Sequence, residues 1–116
     1  VHAWRGSQER SLLEMEEAVH MLTEVPANLY GLVDRGAIRE GYYADVIVID
    51  ENTIGSQPTS IVNDLPLEAP RLFAGADGVE HVFCNGKEIV SSGEFTSSRP
   101  GSVLRSGTHT SNPSMV

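Results

Sequence analysis

Val79-Glu80-His81-Val82-Phe83-Cys84-Asn85-Gly86-Lys87-Glu88-Ile89-Val90 places two short runs of strand-forming residues on either side of an Asn-Gly pair. Asn and Gly both tolerate positive φ, which the two central residues of a type I′ turn require, so the stretch reads as a β-hairpin. A two-residue turn sets the pairing: Val82 should lie opposite Ile89, and His81 opposite Val90. Upstream, Val46-Ile47-Val48-Ile49 is an unbroken β-branched run. It predicts a strand buried on both faces. Asp45 and Asp50 bracket that run and suit backbone-binding turn positions better than catalysis.

Between these strands, residues 52–78 carry Pro58, Pro66 and Pro70 and little periodicity. They predict a long irregular surface connection, with room for a short helix near Thr59–Val62. Downstream, Gly93 closes the hairpin, Glu94-Phe95-Thr96 can start another extended segment, and Ser97-Ser98-Arg99-Pro100-Gly101 forms a turn. From Ser106 to Val116 the chain is rich in Ser, Thr, Gly and Asn. Such a stretch has little apolar surface to offset the entropy of ordering, so 106–116 is expected to be a disordered tail.

Toward the other end the periodicity becomes helical. Ser11-Leu12-Leu13-Glu14 fits a capping box, and Leu12, Met15, Ala18, Val19 and Leu22 fall on one face of a helix over residues 12–23. Pro26 suits the first turn of a second helix, Pro26–Tyr30, that Gly31 closes in a left-handed cap, with Leu29 and Leu32 packing back on the first. Residues 1–10 read as disordered or connecting. The fold class is therefore α+β: two helices, then strands.

The chain has 116 residues, 40% of them hydrophobic and 21% charged. That is one small domain or part of one. A net charge of -8 repels phosphate backbones and anionic lipid, so neither nucleic acid nor a membrane is expected as a partner. The single Cys84 excludes an internal disulfide and fits a cytoplasmic protein. The sequence opens at Val1 rather than at methionine, as a truncated or processed protein does.

Nothing in the residues spells an active site. His2, His20, His81 and His109 lie on separate predicted elements, with no His-x-His or His-Glu-x-x-His pair to hold a metal. Cys84, at a strand end with no base in its segment, reads as a small core residue. Glu14, Glu16 and Glu17 read as a solvated helix face. Neither a Gly-x-Ser-x-Gly elbow nor a phosphate-binding Gly loop occurs. No catalytic, cofactor-binding or metal residue is assigned.

Two of these stretches nonetheless carry a resemblance. Gly36-Ala37-Ile38-Arg39-Glu40-Gly41-Tyr42-Tyr43-Ala44-Asp45-Val46-Ile47-Val48-Ile49-Asp50 resembles the Gly-x-Ile/Leu-x-x-Gly-x-x-Ala-Asp-Leu-Val-Val-x-Asp signature of the amidohydrolase superfamily, and the Asn85-Gly86 hairpin resembles the signature that follows it. Leu13–Val19 through Pro26–Leu32, and Gly93–Thr96 through Arg99–Arg105, are similar to N-acyl-D-amino-acid deacylases (D-aminoacylases). Ser97 stands where that family often has glycine, and Gln57 where an aspartate is common.

The resemblance implies the C-terminal portion of a zinc-dependent enzyme that hydrolyses an amide bond in an N-acyl-D-amino acid. Residues 11–32 would be the last helical layer of a (β/α)8 TIM barrel, and 36–105 part of a composite β-sandwich. The metal ligands and catalytic groups of that family lie N-terminal to the matched stretch, so zinc is implied for the whole enzyme and none for this chain. The implied partners are the rest of the polypeptide, a small amide substrate and, through open sheet edges, a further copy of the chain. Another amidohydrolase, a cyclic amidase or deaminase, or a non-catalytic module acting in assembly, are the alternatives.

Overall fold

A computed structural model describes residues 13–112. The capping box at Ser11, the apolar position Leu12, His2 and the segment 1–10 lie outside them. Helix α1 spans Met15–Leu22 and α2 spans Glu24–Leu29, meeting at Thr23. Glu14 occupies the N-cap of α1 without a side-chain hydrogen bond to it. The second helix starts two residues before Pro26, because a proline is tolerated anywhere in a first turn where amides have no helical acceptor. Gly31 (φ +65°) ends it as expected, in the left-handed region.

The strands are β1 (Val46–Ile49), β2 (Gly55–Ser56), β3 (Ser60–Val62), β4 (Arg71–Phe73), β5 (Ala76–Asp77), β6 (Val79–Cys84), β7 (Lys87–Ser91) and β8 (Glu94–Phe95). Four of them form an antiparallel sheet in the order β1-β6-β7-β8. Asn85 (φ 49°) and Gly86 (φ 76°) make the hairpin turn with both central φ values positive. Ser92 (φ 50°) and Gly93 (φ 79°) repeat that turn between β7 and β8.

Two registers depart from expectation. Cys84 pairs Lys87 and Phe83 pairs Glu88, but Val82 then pairs Val90 rather than Ile89, and His81 pairs Ser91 rather than Val90. Ile89 is the extra residue of a bulge, and its carbonyl accepts the Thr96 amide at 3.0 Å. A second bulge leaves Glu80 out of the β1–β6 ladder, its carbonyl taken by the Gly93 amide at 3.0 Å. Strand β1 is not buried on both faces: it is an edge strand, and Ile47 is 62% exposed. A run that is apolar at every position matches what a strand covered on both sides needs, but Ile47, Val48 and Ile49 are left exposed by the described residues.

The connection 52–78 is not irregular. Strand β2 pairs β5 and β3 pairs β4, two steps of one antiparallel ribbon whose register slips by a residue between them. Thr59–Val62, where a short helix is expected, contains all of β3, and the tip turns at Pro66–Glu68 with Leu67 (φ 61°) and Glu68 (φ 56°) in the left-handed region. Ile54 is buried at the base of this arm, where Gly78 (φ +70°) turns the chain into β6.

Part of the expected tail is also bonded. The Val33 amide donates to the His109 carbonyl (3.1 Å) and the Ser111 amide to the Gly31 carbonyl (2.8 Å), around a Leu32–Thr110 bridge. Composition weighs apolar area, and this contact consists of backbone hydrogen bonds to the end of α2.

The core is small. Ala27, Ile54 and Val90 are the buried hydrophobic residues among those described, and Cys84 is half-buried. The expected packing of Leu29 on α1 is absent, since Leu29 is 67% exposed, as is Leu22 on the apolar side of α1. The radius of gyration, 16.7 Å, exceeds the roughly 13 Å of a compact domain of this size.

Candidate functional site

Arg35 is the centre of the best-built side-chain cluster among the described residues. It follows Asp34, which at φ 56° turns the backbone after the α2 exit. One guanidinium nitrogen pairs with the Asp45 carboxylate, and the other donates to Asn85 Oδ1 at 2.9 Å. Its plane lies over the Tyr43 ring, 4.1 Å from the centroid. Asp45 completes the circuit: Oδ1 accepts the Asn85 amide at 2.8 Å. Asn85 Nδ2 then donates to the Pro100 carbonyl at 2.8 Å, and the Gly86 amide to the Ala44 carbonyl at 2.9 Å. Four distant stretches, 34–35, 43–45, 85–86 and 100, meet in this clasp.

The arrangement holds backbone, and every polar atom named in it is already engaged. Asp45 was expected to bind turn backbone, and it does so across the molecule rather than within its own turn. Asp50 behaves locally, accepting the Asn52 amide at 2.9 Å and the Thr53 hydroxyl at 3.0 Å. Arg35 carries no sequence signal of its own, because its fork is assigned only once residues fifty positions apart are adjacent. The sequence signal of Asn85 is its tolerance of positive φ, and its carboxamide is a second tie.

The histidines stay apart. His20 Nδ1 lies 3.4 Å from Glu24 on the helices, His81 Nδ1 lies 2.7 Å from Glu88 across the hairpin, and His109 Nδ1 accepts the Arg105 amide at 2.9 Å. Among the described residues no group of three or more His, Cys, Asp or Glu side chains could hold a metal ion. Glu14, Glu16 and Glu17 are exposed. Cys84 lines a shallow, mostly apolar groove of about 390 Å³ with Ile89, Phe95, Arg99 and Pro100. No base stands against the thiol there, since Arg99 is turned to the Thr96 and Ser98 carbonyls. At the arm tip, Asp64 accepts a two-pronged hydrogen bond from Arg71, which holds its carboxyl below the usual range, and the same bond holds the Arg71 guanidinium above its own.

The segments joined by the clasp are the ones that carry the family signatures. The model of the amidohydrolase family matches residues 2–90. This chain belongs to the amidohydrolase family. Its relatives include an N-acyl-D-glutamate deacylase of Alcaligenes xylosoxydans xylosoxydans, 38% identical over 87% of this chain and 19% of that protein. An N-acyl-D-aspartate deacylase of the same organism is 32% identical over 86% of this chain and 18% of its own length. A 5'-deoxyadenosine deaminase of Methanopyrus kandleri is 32% identical over 89% of this chain and 23% of its own length. The chain thus spans about a fifth of the length of the curated relatives it matches. No solved structure matches it. Among the described residues no helix is long and apolar enough to cross a membrane.

Proposed function

We propose that this chain is the C-terminal scaffold of a zinc-dependent amidohydrolase that cleaves N-acyl-D-amino acids into a carboxylate and a free D-amino acid. The observation that carries the scaffold reading is the size of the core: three buried hydrophobic residues, against apolar faces on α1 and β1 left open. Burying an aliphatic side chain is worth about 1.5–3 kcal/mol, so those faces gain most by packing on a larger body. In this reading residues 11–32 form the last helical layer of a (β/α)8 barrel and 36–105 complete a β-sandwich with strands from elsewhere in the polypeptide. The deacylase names of the relatives support the choice of substrate.

Residues 13–112 do not fit a zinc site, as their histidines are separated and engaged. In this reading the ligands and the hydrolytic groups belong to other parts of the enzyme. What these residues supply is the fixed frame around the clasp.

The deaminase relative favours a second reading, hydrolytic deamination in the same superfamily. The test is the intact gene product, purified from its source, weighed by mass spectrometry, analysed for zinc and assayed on N-acetyl-D-glutamate, N-acetyl-D-aspartate and 5'-deoxyadenosine. A mass several times 12.5 kDa with bound zinc and release of free D-amino acid supports the proposal. Ammonia released from the nucleoside supports the second reading. A product near 12.5 kDa without zinc overturns both and leaves an assembly module.

A further inference from the structure

We propose that Asn85-Gly86 is a latent deamidation site, kept silent by the clasp and exposed to irreversible modification whenever the clasp opens. The chemistry needs only water. The Gly86 backbone nitrogen attacks Asn85 Cγ, its proton leaves, and the carboxamide nitrogen departs as ammonia. The resulting five-membered succinimide then adds one water and opens at either carbonyl, to aspartate or to isoaspartate. Glycine as the second residue favours this reaction, because no side chain obstructs the approach of its nitrogen. The turn faces solvent at Gly86, so water reaches it.

Each atom that must move is engaged. The attacking nitrogen donates its proton to the Ala44 carbonyl at 2.9 Å. The carboxamide that must swing onto it is tied at both ends, to Arg35 Nη2 at 2.9 Å and to the Pro100 carbonyl at 2.8 Å. The Asn85 amide is fixed by Asp45 at 2.8 Å. Ring closure has to break three of these ties together, and a hydrogen bond to a charged group is the costlier kind to lose.

The product cannot re-form the clasp. Either acid loses the Nδ2 donor to Pro100 and puts a second carboxylate beside that of Asp45. Isoaspartate also lengthens the backbone by a methylene, which shifts the Gly86 amide from its place opposite the Ala44 carbonyl. Modification therefore locks open what first permitted it.

The test uses the full chain at mildly alkaline pH, with isoaspartate at residue 85 followed by peptide mapping in three samples: folded wild type, wild type in urea, and Arg35→Gln. From three ties, the folded wild type should react roughly ten- to a hundredfold more slowly than the urea sample. Arg35→Gln, with circular dichroism unchanged, should recover a large part of that difference. Arg35→Lys, which keeps the charge without the fork, replaces it if the glutamine variant does not fold. Equal rates for folded and unfolded wild type, or a folded Arg35 variant that reacts at the wild-type rate, overturn the proposal.

Discussion

The sheet β1-β6-β7-β8 and the arm β2–β5 are both antiparallel, yet they are held together by different means. The sheet is tied across the chain: Arg35 and Asp45 bind Asn85 of its turn from fifty and forty residues away, and Val90 is buried within it. The arm is tied to itself, by ladder bonds, by Gln57 Nε2 to Asp77 (2.8 Å) and by Asp64 to Arg71 at its tip. Ile61 and Leu72, paired across it, are each 71% exposed. Stability should follow the long-range ties, with the arm as the part that opens first.

The sharpest way to break that distinction is where the two regions join. At Gly78 an added Cβ would stand 2.5 Å from the Ile54 backbone nitrogen, at a φ that side chains disfavour. Gly78→Ala should cost about 3 kcal/mol and lower the melting transition of sheet and arm together. Loss of arm signals alone in a hydrogen-exchange experiment would show the arm to be independent.

Within the sheet, Val90→Ala removes two carbons from one of the few buried positions. It should cost about 2 kcal/mol in urea unfolding, with the slope unchanged. Arg35→Ala leaves the Asp45 carboxylate and Asn85 Oδ1 without their partner and should cost about 1–2 kcal/mol, seen as faster exchange of the Gly86 amide before any change in the arm.

The smallest effect belongs to the arm tip. Asp64 is exposed and its carboxyl is held low by the Arg71 hydrogen bond. Its folded value lies below its unfolded one. The contribution is therefore complete above the unfolded value and is lost as pH falls through the lower, folded one. Carbon NMR titration of Asp64 should give a midpoint below the ordinary aspartate range, returning to it in Arg71→Gln, while the sheet melts unchanged in both.

What could be read from the sequence was what neighbouring residues decide. Asn85-Gly86 specifies its turn because two adjacent residues must accept positive φ, and Gly31 specifies a helix end for the same reason. The α1 periodicity gave the helix, although not the cover for its face. The bulge at Ile89 was not legible, since it depends on where β8 places the Thr96 amide. The arm was missed because prolines at 58, 66 and 70 suggested a loop, whereas they fall between its short strands. Of the candidate site, Asp45 could be anticipated as a backbone acceptor. Arg35 could not, because a guanidinium becomes a clasp only when its acceptors arrive from fifty residues away.

The pairing of 31–33 with 109–111 has a mechanical corollary. It closes a loop of nearly eighty residues that contains every strand among the described residues. A pull applied between α1 and residue 112 would load that short bridge first and peel it bond by bond, while the sheet inside the loop carried no tension. Until the bridge parts, the strands are shielded from force on the chain; once it parts, the load passes to the ties among Arg35, Asp45, Asn85 and Pro100.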